Sequence, residues 1–155
     1  MPDPVELSVE PCEELLCSGV IGRIGFGTPS GPQVFPVNYS VVDRAVIVRT
    51  TPYGMLGVHA RDAQVAFETD QFDHEYEHGW SVIAHGRLSA VTEPEDLDRI
   101  RTVWQPRPWA GGATRSLYLR LPWTQITGRR LGTGWDIFEG LVTRRRSPGT
   151  RDATA

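Results

Sequence analysis

The chain contains no lysine, and all sixteen of its basic side chains are arginines. That absence excludes side-chain amine chemistry, including a Schiff base to a carbonyl substrate, and leaves every cationic role to a permanently charged, forked guanidinium. Cysteine is nearly as scarce. Cys12 and Cys17 are the only two, five apart on one predicted helix, where their side chains diverge and cannot bridge; both read as buried, reduced thiols. No apolar run approaches the ~20 residues that cross a bilayer. Met1-Pro-Asp-Pro-Val-Glu also lacks the basic and apolar stretches of a secretion signal, so the expectation is a cytoplasmic protein with no membrane partner. A formal net charge of -3 offers no bulk attraction to nucleic acid.

What is present is the balance of a folded domain. The 155 residues are 39% apolar and 23% charged, enough for one domain with a real hydrophobic core. Ser8 is placed to cap a short helix carrying Val9, Cys12, Leu15 and Leu16 on one face, with Gly19 as its stop. From Val20 the pattern turns to short β-rich runs: Val20 to Phe26, Val34 to Val42 after the Thr28-Pro-Ser-Gly-Pro turn, and Ala45 to Thr50 after Asp43-Arg44. Pro52 follows Thr51 as the first residue of a predicted helix through Met55, Leu56, Val58 and His59.

Gln64 to Thr69 and Trp80 to Val91 read as strands joined by a polar loop, Asp70 to Gly79. Thr92-Glu-Pro-Glu95 has the capping-box form and opens a second helix to about Trp104. A Pro- and Gly-rich connection, Gln105 to Thr114, leads to two last strands, Ser116 to Leu121 and Thr124 to Leu131. About six to seven strands with few helices and no βαβ alternation predict a mainly β fold, a closed or partly closed antiparallel barrel. Residues 1–131 form the expected domain. The tail, 132–155, carries Trp135, Ile137, Phe138 and Leu141 that can dock, before an expected frayed end at Arg144-Arg-Arg.

Chemistry is suggested where Pro36-Val-Asn-Tyr39, on a strand, is followed about ten residues later by Arg49-Thr50-Thr51-Pro52 at a helix start. Arginine suits a phosphate, hydroxyls add donors, and a helix start adds free N–H groups. Asn38 can both donate to and accept from the edge of an amide-like ring, and Tyr39 and Trp80 can wall a planar group. Each residue alone also has an ordinary reading, as a surface strand arginine, a turn asparagine or a core tryptophan.

Taken together, these residues resemble the pyridoxamine 5'-phosphate oxidase-like, FMN-binding split-barrel family, in particular its small actinobacterial members. The resemblance rests on Leu15-Leu16 before Gly22-Arg-Ile-Gly, on Pro36-Val-Asn-Tyr39, on Val48-Arg-Thr50, on Val65-Ala-Phe-Glu68 with Asp70, and on Gly79-Trp-Ser-Val82 with Gly86. It implies a split β-barrel that pairs as a homodimer, with FMN in clefts between subunits, and a flavin-dependent oxidoreductase acting on a small molecule. Carried over by position, it implies that Val37, Asn38 and Tyr39 line the flavin ring. Arg49, Thr50 and the Gly54, Met55, Leu56 turn would hold the phosphate, and Ser81 beside Trp80 would reach the flavin from the other subunit or near its edge. Arg129 and Arg130 are weaker candidates. Met55 departs from the pattern, because the family usually has a lysine about there. Losing one charge-assisted phosphate contact costs about 1.5 to 3 kcal/mol, which keeps a deazaflavin or haem in play as alternative cofactors, and a non-catalytic binding module in play as an alternative function.

Other constellations carry less. Asp73-His74-Glu-Tyr-Glu77-His78 fixes no third metal ligand and reads as a solvated loop, so no metal is expected. Gly22, Gly25 and Gly27 lack the order of a phosphate loop, and Ser81 has no nucleophile-elbow context. No catalytic side chain is assigned.

Overall fold

A computed structural model describes residues 3–141. In chain order these form β1 (Val5–Leu7), α1 (Val9–Leu16), β2 (Ile21–Thr28), β3 (Gly31–Val42) and β4 (Ala45–Thr50). A single π-helical turn (Leu56–Ala60), β5 (Gln64–Asp73), β6 (His78–Arg87), β7 (Ser89–Ala90), α2 (Pro94–Trp104) and β8 (Leu117–Leu131) follow. All strand pairings are antiparallel, and six strands close a ring in the order β8-β4-β3-β2-β5-β6 and back to β8. The fold is therefore the mainly β split barrel, with eight strands where the sequence suggests six or seven. The short β1, paired with Gly128 to Arg130, and β7, paired with Leu119 and Arg120, account for the excess.

Ring closure depends on β8. Its first half, Leu117 to Pro122, pairs with β4, and its second half, Trp123 to Leu131, pairs with β6. Pro122 led to an expectation of two strands. Instead one continuous strand passes through it, because proline is tolerated where a strand changes partners and its missing N–H breaks no ladder. The β3–β4 hairpin is set by Asp43 and Arg44, whose φ angles of 51° and 59° are those of the turn that matches strand twist.

The barrel interior holds Leu15 and Leu16 of α1 with Ile24, Val46, Val48, Phe67 and Val82. Tyr39 joins them. It is 2% exposed, its hydroxyl donates to Leu16 O at 2.6 Å, and its ring meets Phe67 edge-on at 4.6 Å. A second, smaller cluster lies outside the ring, where α2 places Ile100 over Val42, Ile47 and Tyr118. Alternate residues of β4 thus face two cores, which explains why Ala45-Val-Ile-Val shows no polar alternation.

Several boundaries differ from the sequence reading. The Asp70 to Gly79 loop is mostly ladder, with Asp73 opposite His78 and only residues 74–77 turning. α2 starts at Pro94 after Glu93, and neither it nor α1 has a side-chain cap bond. The helix expected at Pro52 begins at Leu56 as one π turn, because residues 51–54 form a tight turn. Gly57 packs so close under this turn that a Cβ there would stand 2.5 Å from Thr51 O. Neither cysteine is in a disulfide; Cys12 is buried, while Cys17 is half-buried and ends α1 instead of lying within it.

The tail docks as far as it is described. Ile137 is 5% exposed against the barrel core, Trp135 stacks on His78 at 4.1 Å, and Arg130 donates to Trp135 O at 2.7 Å. Arg144 to Arg146 lie outside the described residues. Among the described residues no helix is long and apolar enough to cross a membrane.

Candidate functional site

On β3, Pro36, Val37 and Asn38 lie at one end of the ring, beside Ile21 of β2 and Arg49 of β4. The 105–116 connection folds back over them, so that Val37, Asn38 and Arg49 face Pro108, Trp109 and Arg115 across a cleft of about 330 Å³. That volume lies within the roughly 300–1,000 Å³ of small-molecule sites, and the composition is the usual one, apolar walls with a few polar groups. Asn38 Oδ1 accepts from the backbone N–H of Trp109 at 3.0 Å, which pins the loop while leaving the indole 76% exposed.

Arg49 is the organising charge. It lies on the outer face of β4 with its guanidinium carbon 5.1 Å from the centre of the Tyr118 ring, a cation–π contact. Its N–H groups donate to the carbonyls of Pro106 at 3.4 Å, Gly112 at 3.2 Å and Arg115 at 3.1 and 3.3 Å. The planar fork satisfies three carbonyls at once, so Arg49 fixes the loop as well as charging the cleft. Arg115 adds a second cation, tied to Ala110 O at 3.0 Å. Among the described residues, neither arginine has a carboxylate partner.

A second, more polar cleft of about 710 Å³ adjoins the first and shares Asn38 and Trp109 with it. The C-terminal end of α2 and the start of the connection form its other wall, through Arg101, Thr102, Trp104, Gln105 and Arg107. Among the described residues, no Asp or Glu lines either cleft. Shifted acidities lie elsewhere. Burial pushes the Cys12 thiol up, marking an inert core thiol and not a nucleophile. Arg99 holds Asp43 below the usual carboxylate range, and burial raises Glu68 despite its bond to Arg23.

The residues singled out from sequence separate into groups. Val37, Asn38 and Arg49 come together in the first cleft. Tyr39 sends its ring into the core, so it cannot wall a ring there; only its outer edge reaches the second cleft. Thr50 and Leu56 are buried at 6% and 5%, and Gly54 and Met55 sit in the turn beyond Arg49, Met55 being 41% exposed. Trp80 is 3% exposed and belongs to the barrel core, and Ser81 pairs with Arg129 on β8. Both lie on β6, which stands opposite β3 in the six-strand ring, so one chain does not bring them to the cleft. Trp109, Pro108 and Arg115 were missed by the sequence reading. The available signal was a tryptophan among Pro and Gly in a long connection without regular structure, the kind of segment that is commonly functional.

Comparison with known proteins adds to this geometry. The sequence model of the pyridoxamine 5'-phosphate oxidase family matches residues 8–130, from the start of α1 to the last turn of the barrel. The chain belongs to this family. It is 35% identical over 107 residues to the uncharacterized protein Rv0080 of Mycobacterium tuberculosis, spanning 66% of this chain and 70% of that one. Among solved structures, an FAD binding protein from Mycobacterium smegmatis is 33% identical with a TM-score of 0.70, covering 81% of this chain and 97% of its own. An FAD and heme binding protein from the same organism shares the fold at 14% identity and TM-score 0.63, covering 84% of this chain and 74% of its own. Proteins that share this barrel thus include flavin binders.

Proposed function

We propose that the chain binds a flavin in the cleft between β3, β4 and the 105–116 connection, and works with it as an oxidoreductase on a small molecule. The observation that carries this is a cleft with apolar walls, an amide at one edge and two arginines, Arg49 and Arg115, that have no carboxylate partner among the described residues. The residues fit the group. Ile21, Pro36 and Val37 offer a flat apolar floor, Trp109 an aromatic cover, Asn38 a donor and acceptor for a ring edge, and Arg49 a charge for phosphate. A bound flavin would supply hydride or electron transfer, while the chain's part is to orient it and exclude water. Haem fits less well, since among the described residues no His, Cys or Met lines either cleft to act as an axial ligand.

A second copy of the chain completes this reading. Tyr53, Met55 and Val58, just beyond Arg49, are 93%, 41% and 56% exposed, an apolar group suited to being covered by a partner. Phe35, Tyr39 and Trp80 supply no such surface, because Tyr39 and Trp80 are core and Phe35 packs against the core. With β6 opposite β3, Ser81 can reach a flavin on Arg49 only from a second copy. Light scattering at micromolar concentration is expected to give a dimer, and a monomer would remove Ser81 from the site. Titration with riboflavin and FMN, read by flavin fluorescence, tests the cofactor itself. Saturable binding that weakens in Trp109→Ala is expected, and no binding of either flavin would overturn the assignment.

A further inference from the structure

Where residues 135–141 cross the β5–β6 hairpin, they leave a cavity of about 290 Å³ beside the packed Trp135, at the low end of small-molecule sites. Its floor is apolar and buried. Trp80 is 3% exposed and Ile137 5%, and Phe72 and Leu141 close the sides. Its rim is acidic. Asp73, Asp136 and Glu139 line it, no arginine does, and among the described residues none of the three carboxylates has an ion-pair partner.

The polar groups here are only partly used within the chain. One oxygen of Asp73 accepts from the backbone N–H groups of Glu75 and Tyr76, and one oxygen of Asp136 accepts from that of Phe138, which leaves each carboxylate its second oxygen. His78, the one imidazole in the lining, is stacked on Trp135 at 4.1 Å. The decisive group is the indole N–H of Trp80. It donates to no described residue. Among the described residues Ser40 Oγ is the only sealed polar side-chain atom without a partner, so the Trp80 N–H opens on the cavity that its ring lines. A tryptophan buried this deeply usually finds an acceptor for its N–H, and here the place for one is inside the cavity.

These features select a chemistry. Among the described residues no three His, Cys, Asp or Glu side chains are grouped to hold a metal ion, and an inorganic cation would leave the indole donor and the apolar floor unused. An organic cation uses all three, its charge against the carboxylates and its body against the floor. We propose that this cavity binds a small organic ammonium ion with a hydrogen-bond acceptor at its far end. The ammonium lies at the rim made by Asp73, Asp136 and Glu139, the acceptor takes the Trp80 N–H, and the apolar body rests between them on Phe72, Ile137 and Leu141. No lining residue is shared with the clefts around Asn38, so this site stands or falls independently of the flavin reading.

Tyramine has this outline and serves as the probe. Desaminotyrosine keeps the same body and reverses the charge, while phenethylamine keeps the charge and lacks the acceptor. The test is a calorimetric titration of wild type, Glu139→Gln and Asp136→Asn with the three compounds, with the indole N–H resonances followed by NMR. The Trp80 resonance is identified by Trp80→Phe or, should that variant not fold, by sequential assignment of wild type. Tyramine is expected to saturate wild type and to move the Trp80 resonance, phenethylamine to bind about tenfold more weakly, and desaminotyrosine not to bind. Glu139→Gln should weaken tyramine about three- to tenfold with the circular dichroism of the protein unchanged, and molar salt should act in the same direction. Failure of tyramine to saturate, equal binding of desaminotyrosine, or a Trp80 resonance that stays fixed would overturn the proposal. Phenethylamine binding as tightly as tyramine would overturn it by removing the Trp80 N–H from the site. Unchanged tyramine affinity in both carboxylate variants would do so as well, because the rim would then hold no ammonium.

Discussion

Two segments without regular structure close over this barrel, and they do so for different ends. The 105–116 connection covers β3 and β4, while residues 132–141 cover the β5–β6 hairpin. Each is latched by an arginine donating to backbone carbonyls, Arg49 to three residues of the connection and Arg130 to Trp135. What lies beneath differs. The tail sinks Ile137 into the core and stacks Trp135 on His78, whereas the connection leaves Trp109 largely in solvent above a cleft. A segment whose aromatic is packed adds stability; one whose aromatic is held over empty space by polar bonds is built to receive something else.

The contrast breaks most readily at the tail. Ile137→Ala should cost about 2 to 4 kcal/mol of stability, as for other buried aliphatic side chains, with flavin affinity unchanged in the folded fraction. Urea denaturation combined with flavin titration checks both halves. An equal loss of stability in Trp109→Ala would erase the distinction between the two segments.

Arg49→Ala ranks next, because it removes a charge and the loop's latch together. FMN binding should weaken by about 2 kcal/mol or more and riboflavin binding by less, since riboflavin has no phosphate but still needs Trp109 over its ring. Equal losses, measured by fluorescence titration, would mean that Arg49 acts through the loop alone. Met55→Lys should act in the opposite sense and more weakly. The side chain is 41% exposed, so an added ammonium there would tighten FMN by about 1 kcal/mol or less and leave riboflavin alone. No change for FMN would place its phosphate away from the 54–56 turn.

The difference between the segments also marks what could be read in the sequence. Strand runs such as Ala45 to Thr50 and the Asp43-Arg44 turn were legible because local chemistry dictates them. That Asn38 and Arg49 lie together was legible because their family pattern is local too. Tyr39, expected to line a flavin ring, has inward parity on β3, and its hydroxyl donates to Leu16 O. Trp109 and Arg115 carried only the general signal of a long irregular connection, since their position depends on a fold-back onto Arg49 from 66 residues along the chain. No local pattern encodes such a contact.

The smallest effect is expected at the latch of α2, the helix that carries Arg101 to the second cleft. Arg99 forms a two-pronged bond to Asp43, with its Nε 2.5 Å and its Nη2 2.7 Å from the two carboxylate oxygens. This bond holds α2 against the β3–β4 turn and lowers the Asp43 pKa. A carboxyl whose folded pKa is depressed contributes stability above its unfolded pKa, near 4, and loses it as pH falls through the lower folded value. Both side chains are nearly half exposed, so the contribution is small and screened by salt. Arg99→Gln should therefore lower stability slightly at pH 7 and not at pH 2, and the difference should shrink in molar salt. Because the helix keeps Ile100 in its own small core, the variant should retain the α2 fold and show little change in flavin affinity. Acid denaturation of the two proteins at low and high salt, followed by circular dichroism, measures the first effect, and the paired flavin titrations measure the second. A difference that persists unchanged at pH 2 would show that Arg99 supports α2 through packing of its stem and not through the Asp43 pair.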